Sequence, residues 1–246
     1  MILELDCGNS FVKWRVIGEA HCPPVAEGVA THVDDLAQEL SDRNVGKISR
    51  CRLVSVRSDD ETAAIVSALS ALLKVEVAKA CSTHGVGGVV NGYRDPQRLG
   101  LDRWLAVVAA YNLCKGACLV IDLGTAITVD LVACDGKHLG GYIAPGIALL
   151  RGQLLAHTRR VRYDFAETAL ALGDLSPGRS TAQAVERGCL LMARSYVSSQ
   201  ISLAHNPLGD EFAIYVTGGD AALVADFPSV NCVPDLVFRG LAIACP

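Results

Sequence analysis

The chain has 246 residues, 51% hydrophobic and 20% charged, a balance that excludes a disordered or fibrous protein and leaves room for one or two domains. Its net charge of −4, with no basic group denser than Arg159, Arg160 and Arg162, argues against a nucleic-acid partner, because phosphate binding needs gathered cations. Glu4 and Asp6 stand where a secretion signal needs cations, and apolar runs such as Leu105 to Tyr111 fall short of the ~20 residues that span a bilayer, so a cytoplasmic protein without membrane attachment is expected.

In chain order, Glu4 to Val12 opens a β-hairpin whose return strand is Phe11 to Ile17. A helical pattern at Val33 to Arg43, a strand at Ser49 to Val56, a helix at Glu61 to Leu73 and a short strand at Val75 to Ala78 follow. The Gly-Val-Gly-Gly run at 85–88 lacks the Lys-Ser/Thr ending of a P-loop and reads as a flexible active-site loop before a helix at Leu101 to Leu113. Val120 to Thr128 then repeats the opening at a constant offset of 116 residues: a β-rich run reaches an Asp, a Gly follows two residues later, then a small polar residue and a second strand. Beyond it come a return strand to Cys134, a strand at His138 to Ile143 and helices at Ile147 to His157 and Thr181 to Ala204. A strand at Phe212 to Val216, a short helix after Gly219, a strand at Val230 to Val233 and a helix at Leu236 to Ala244 complete the pattern. Strands alternating with helices after a repeated hairpin imply two duplicated α/β domains, 1–115 and 116–246.

Two matching Asp-x-Gly turns suggest a phosphate-binding cleft. Gly lets a backbone N–H approach a phosphate oxygen, the next Asn or Thr adds a side-chain donor, and the Asp holds a cation or its water rather than the phosphate itself. The ten cysteines include no CxxC pair, and Cys114 and Cys118 are the one close couple, so free thiols without zinc are expected. The six histidines are scattered and none suggests a catalytic triad.

Five segments carry a resemblance to the type III pantothenate kinases, relatives of acetate and sugar kinases, heat-shock chaperone ATPases and actin. They are Asp6 to Trp14, Tyr93 to Trp104, Asp122 to Ala126, Gly140 to Gly146 and Thr217 to Asp220. The resemblance implies two ribonuclease H-like (actin-like ATPase) domains with a nucleotide cleft between them. It implies transfer of the γ-phosphoryl group of ATP to pantothenate, giving 4'-phosphopantothenate, the first step of coenzyme A biosynthesis. By that resemblance Asp6, Cys7, Gly8, Asn9, Ser10, Phe11, Val12, Lys13 and Thr125 bind ATP, with Asp6 on Mg²⁺ through water. Asp122 is expected to help bind a monovalent cation, K⁺ or NH₄⁺, although contact with Mg²⁺ instead stays open. Asp102 is the expected general base, at a helix start whose free N–H groups favour an ionised carboxylate. Tyr93, Gly100, Leu101, Asp102, Arg103 and Thr181 are expected to bind pantothenate, and Thr217 to Asp220 to form the adenosine turn. A homodimer is implied, with Thr181 completing the partner's substrate pocket. Two alternatives keep the fold: a nucleotide-binding regulatory or accessory protein, and a kinase for another small hydroxylated substrate such as a sugar.

Overall fold

The computed structural model describes residues 1–8, 11–18, 23–43, 45–164, 167 and 175–246. They form two compact units, Met1–Leu113 with Asp235–Pro246, and Cys114–Pro234. The first contains β1 (Ile2–Cys7), β2 (Val12–Ile17), β3 (Ala26–Ala30), α1 (Val33–Asp42), β4 (Arg50–Ser55), α2 (Asp59–Leu73) and β5 (Val77–Lys79). A short hairpin, β6 (Gly85–Val86) and β7 (Val89–Val90), precedes α3 (Leu101–Cys114), whose last residue begins the second unit. The second unit contains β8 (Cys118–Leu123), β9 (Ala126–Val132), β10 (His138–Pro145), α4 (Ile147–His157), α5 (Thr181–Leu208), β11 (Ala213–Thr217) and β12 (Val230–Cys232), and α6 (Leu236–Ala244) returns to the first.

The repeat seen in the sequence is a repeat of topology. One sheet runs β3-β2-β1-β4-β5 and the other β10-β9-β8-β11-β12. In each, the first three strands in sequence pair antiparallel, and the remaining two join parallel after helical crossovers. Alternating apolar residues point into each core: Leu3, Leu5, Val12, Trp14 and Val16 in the first unit, Leu119, Ile121, Val129 and Val216 in the second. Burial of each such side chain contributes about 1.5–3 kcal/mol.

Three features depart from the sequence pattern. Ala-Glu-Gly-Val-Ala at 26–30 is a weak strand sequence, yet it pairs with β2 as the sheet edge, where partner geometry overrides propensity. The Gly85 to Gly88 run is not a loose loop. It is a two-residue hairpin with φ of +60° and +84° at Gly87 and Gly88, the left-handed pair that glycine supplies without strain. Asn112 Nδ2 donates to Gly87 O at 2.7 Å, and a Cβ on Gly87 would lie 2.8 Å from Asn112 and from Ile243, so α3 and α6 both hold the turn.

The third is α6, expected in the second domain. Its Gly240 sits so close to α3 that a Cβ would fall 2.0 Å from Leu105 O. Below it lies a buried ionic chain: fully buried Glu4 accepts from Arg15 Nε at 2.6 Å and from Arg52 at 3.1 Å, and Arg15 also donates to Asp235 at 2.9 Å. Removing one partner of such a chain strands a buried charge, so it ties the C-terminal helix to β1, β2 and β4. Among the described residues, no helix is long and apolar enough to cross a membrane.

Candidate active site

In the first unit the site is built on the end of β1. Asp6 lies opposite Lys13 in the antiparallel ladder, and both side chains reach solvent while Cys7 and Val12, the next pair, turn into the core. Burial pushes the Asp6 carboxyl up to about 6; Lys13 pulls it down, and the carboxylate of Asp102 pushes it further up. The two acids are therefore neighbours, although 96 positions separate them in the chain. Burial also pushes the Cys7 thiol up to about 12, with the Asp6 charge adding to the rise and Arg57 opposing it, so Cys7 offers main-chain groups rather than a reactive sulfur. Gly8 O accepts from Arg57 Nε at 2.9 Å. Arg57 is thus a support of the turn that no motif announced. Phe11 is 54% exposed beside the turn, and Asn9 and Ser10 lie outside the described residues.

Asp102 stands in the first turn of α3, its Oδ1 accepting from Arg103 N at 2.8 Å. A Cβ on Gly100 would lie 3.0 Å from that oxygen, so the small residue before the helix leaves space for the carboxylate. Arg103 is buried; its guanidinium donates to the Tyr93 hydroxyl at 2.9 Å, with its centre 5.7 Å from the ring. Tyr93 is itself fixed by Asn91, which accepts from Tyr93 N at 3.0 Å and donates through Nδ2 to Thr83 O and Pro96 O. The structure thus brings Asp6, Lys13 and Asp102 together and sets Arg103 and Tyr93 as a bonded pair next to Asp102 in the chain, with Gly100 exposed and Leu101 half-buried alongside.

In the second unit the matching turn follows β8. Gly124 N donates to Ala126 O at 3.1 Å, leaving Thr125 exposed at the tip, and Thr125 O accepts from Gly146 N at 3.0 Å. Gly218, with φ of +94°, packs against this turn so tightly that a Cβ would fall 2.4 Å from Asp122 Oδ1 and from Leu123 O. Asp220 N donates to Leu123 O at 2.9 Å. The Asp122 turn and the Thr217 to Asp220 turn are therefore one interlocked piece of backbone, and glycine is required where they touch. At the start of α5 the cap is Ser180, whose Oγ accepts from Gln183 N at 3.2 Å. That leaves the exposed Thr181, first residue of the helix, without the capping duty. Among the described residues no group of three or more His, Cys, Asp or Glu forms a metal cage, and nine cysteines are free thiols.

The family model of the type III pantothenate kinases matches residues 2–202. The chain belongs to that family. A type III pantothenate kinase of Ectopseudomonas mendocina is 57% identical over 247 residues, covering 100% of this chain and 99% of the relative. Among solved structures, a protein from Campylobacter jejuni described as a Baf family transcriptional activator superposes with a TM-score of 0.61 at 20% identity, over 98% of this chain and 95% of that one. A protein from Sinorhizobium meliloti described as a 2-dehydro-3-deoxygalactonokinase does so at 0.53 and 14% identity, over 99% and 98%. At such identities these two show the fold alone, an α/β architecture shared over almost the whole chain. For this pantothenate kinase family member, the first Asp-x-Gly turn, the Tyr93 to Trp104 segment, the second turn and the Gly140 to Gly146 segment all fall inside the family match.

Proposed function

We propose that the chain transfers the γ-phosphoryl group of ATP to the terminal hydroxyl of pantothenate, giving 4'-phosphopantothenate, and so opens coenzyme A synthesis in the cytoplasm. The observation that carries this assignment is that the Asp102 carboxylate lies near enough to Asp6 to raise its pKa, one acid coming from a phosphate-type turn and one from the helix that also carries Arg103. Asp6 and Asp102 bring two negative charges against the one positive charge of Lys13, which fits a divalent cation; Asp6 would hold hydrated Mg²⁺, which would supply charge neutralisation for the triphosphate. Backbone N–H groups of Cys7 to Val12 and the Lys13 ammonium bind the phosphates, and Thr125 contacts ATP from its exposed tip. Arg103, pre-oriented by Tyr93, offers a fork to the substrate's carboxylate or amide, and the main chain of Gly100 and Leu101 borders the same position. Asp102 accepts the hydroxyl proton as the oxygen bonds to phosphorus and the bond to ADP breaks.

In an ATP-consumption assay, turnover is expected with pantothenate and not with hexoses; turnover with hexoses alone overturns the assignment. In the same assay, replacing K⁺ by Na⁺ or Tris at fixed Mg-ATP is expected to lower the rate sharply, because Asp122 is read as helping to hold a monovalent cation near the phosphates. Equal rates in the three salts remove that ion.

A homodimer is the proposed working form. Tyr142 and Ile143 on edge strand β10, Leu149 on α4, and Leu191 and Met192 on α5 are exposed; Ile143 reaches 67% and Met192 59%. Tyr142 lies close enough to Tyr196 of α5 to raise its hydroxyl pKa, after burial, so β10 and α5 share a surface. Apolar surface of this kind marks an interface in a soluble protein. If Thr181 serves the partner's site, Asp102→Asn and Thr181→Trp proteins, each inactive, should regain about a quarter of parental activity after dissociation and mixing, since a mixed dimer collects both defects in one site. An inactive mixture with verified subunit exchange rejects the shared pocket.

A further inference from the structure

Arg57 lies just past the end of β4, beside the turn that follows β1. In the first sheet β1 runs between β2 and β4. Asp6 pairs with Lys13 on one side, and Cys7 pairs with Ser55 on the other, where Val56 N also donates to Cys7 O at 3.1 Å. The chain leaving β4 thus runs alongside the chain leaving β1, and Arg57 Nε donates to Gly8 O at 2.9 Å. The turn is flanked by two cations, Lys13 from β2 and Arg57 from β4.

The backbone beneath the arginine is fixed. Ser55 Oγ, which shares a 2.8 Å hydrogen bond with Thr62 of α2, accepts from Arg57 N at 3.3 Å. A guanidinium stays charged at any working pH and carries five donors in one plane. The bond to Gly8 uses one of them. Among the described residues, Nη1 and Nη2 of Arg57 donate to no acceptor and form no ion pair. The acids that follow it are engaged elsewhere: Glu61 Oε2 accepts from Ser58 N at 3.1 Å and Ser58 Oγ at 2.6 Å in the cap of α2, and Asp59 lies 3.8 Å from Lys79. Arg57 is therefore a half-buried cation, held in place, with its fork unspent.

We propose that Arg57 is a phosphate-binding residue of this site, whose Nε fixes the Gly8 carbonyl while its two Nη groups bond oxygens of the ATP triphosphate from the β4 side. The assignment rests on the reading of the β1 turn as the ATP site and adds a second cation to Lys13. Arginine suits the double task because its planar donors can hold a carbonyl on one edge and an anion on the other, whereas a lysine ammonium acts as a point charge.

Phenylglyoxal, which condenses with the Nη groups of arginine, tests this on the unaltered full-length enzyme. Modified Arg57 resists trypsin, so its labelling appears as the fused peptide Leu53–Lys74 in place of Leu53–Arg57 and Ser58–Lys74. Saturating ATP should suppress that peptide, and saturating adenosine, which lacks the phosphates, should not. Suppression by both ligands would assign the protection to the nucleoside, and labelling at the free rate under bound ATP would leave Arg57 a support of the turn; either result overturns the proposal. Equilibrium binding on the same samples keeps the two readings apart. An enzyme that binds no ATP overturns both, whereas bound ATP with Arg57 still reactive overturns the role of the arginine alone. Independently, Arg57→Gln should weaken ATP binding by about 10- to 100-fold, the usual worth of a bond to a charged group, and leave adenosine binding unchanged. Arg57→Lys, which keeps the charge without the fork, should fall between parent and Arg57→Gln. Equal losses for ATP and adenosine, or no loss for ATP, would reject phosphate binding by Arg57.

Discussion

Replacing Asp102 by Asn is expected to leave the fold and ATP binding intact and to lower turnover by about 10²- to 10⁴-fold, the usual worth of general-base assistance. The amide has the same shape as the carboxylate. Its Oδ1 can keep the 2.8 Å bond from Arg103 N and fit the space beside Gly100, so neither the helix start nor the Arg103–Tyr93 pair should move. What is lost is the ability to accept the hydroxyl proton, together with one of the two negative charges that meet at the site. The loss should therefore fall on kcat, with KM for pantothenate nearly unchanged. Turnover within about threefold of the parent would remove Asp102 from the proton-transfer role, since that is far below what a base contributes. A large rise in KM at unchanged kcat would instead make it a binding residue.

Legibility from sequence followed the range of each interaction. The hairpins, α4 and α6 were readable because periodicity and turn residues are local, and the 116-residue repeat doubled the signal. The β3 edge was not readable: Ala26 to Ala30 has little intrinsic strand preference and exists through its pairing with β2. The allegiance of α6 was hidden for another reason. It rests on Arg15 reaching Asp235 across 220 positions and on the absence of a side chain at Gly240, and neither leaves a periodic trace. At the candidate site, Asp102, Arg103 and Tyr93 stand in one contiguous segment that the sequence singles out, yet the approach of Asp102 to Asp6 and the support of Gly8 by Arg57 are products of folding. The interlock of Gly218 with Asp122 is of the same kind.

Asp6→Asn should separate stability from function in opposite directions. In the ligand-free protein burial raises the Asp6 pKa from 3.8 to about 6, with Asp102 adding to the rise and Lys13 only partly offsetting it. The folded state thus binds the proton more tightly than the unfolded chain, so stability falls as pH rises through the window from about 4 to 6 and stays lowered above it. At pH 7 the ionised carboxylate costs on the order of 1–3 kcal/mol, which the neutral amide should recover. Thermal melts of the ligand-free variant should therefore lie a few degrees above the parent at pH 7 and coincide with it near pH 4, where the parent carboxyl is protonated. Mg-ATP should reverse the order. A ligand that binds only the folded state stabilises it by RT ln(1 + [L]/Kd), and the variant, lacking the carboxylate expected to meet the hydrated cation, should gain little. Parent and variant melting together at pH 7 without ligand would mean that the charge on Asp6 is already compensated in the folded chain. An equal Mg-ATP shift in both would mean that Asp6 does not hold the cation, and the acid meeting Asp102 would then need another role.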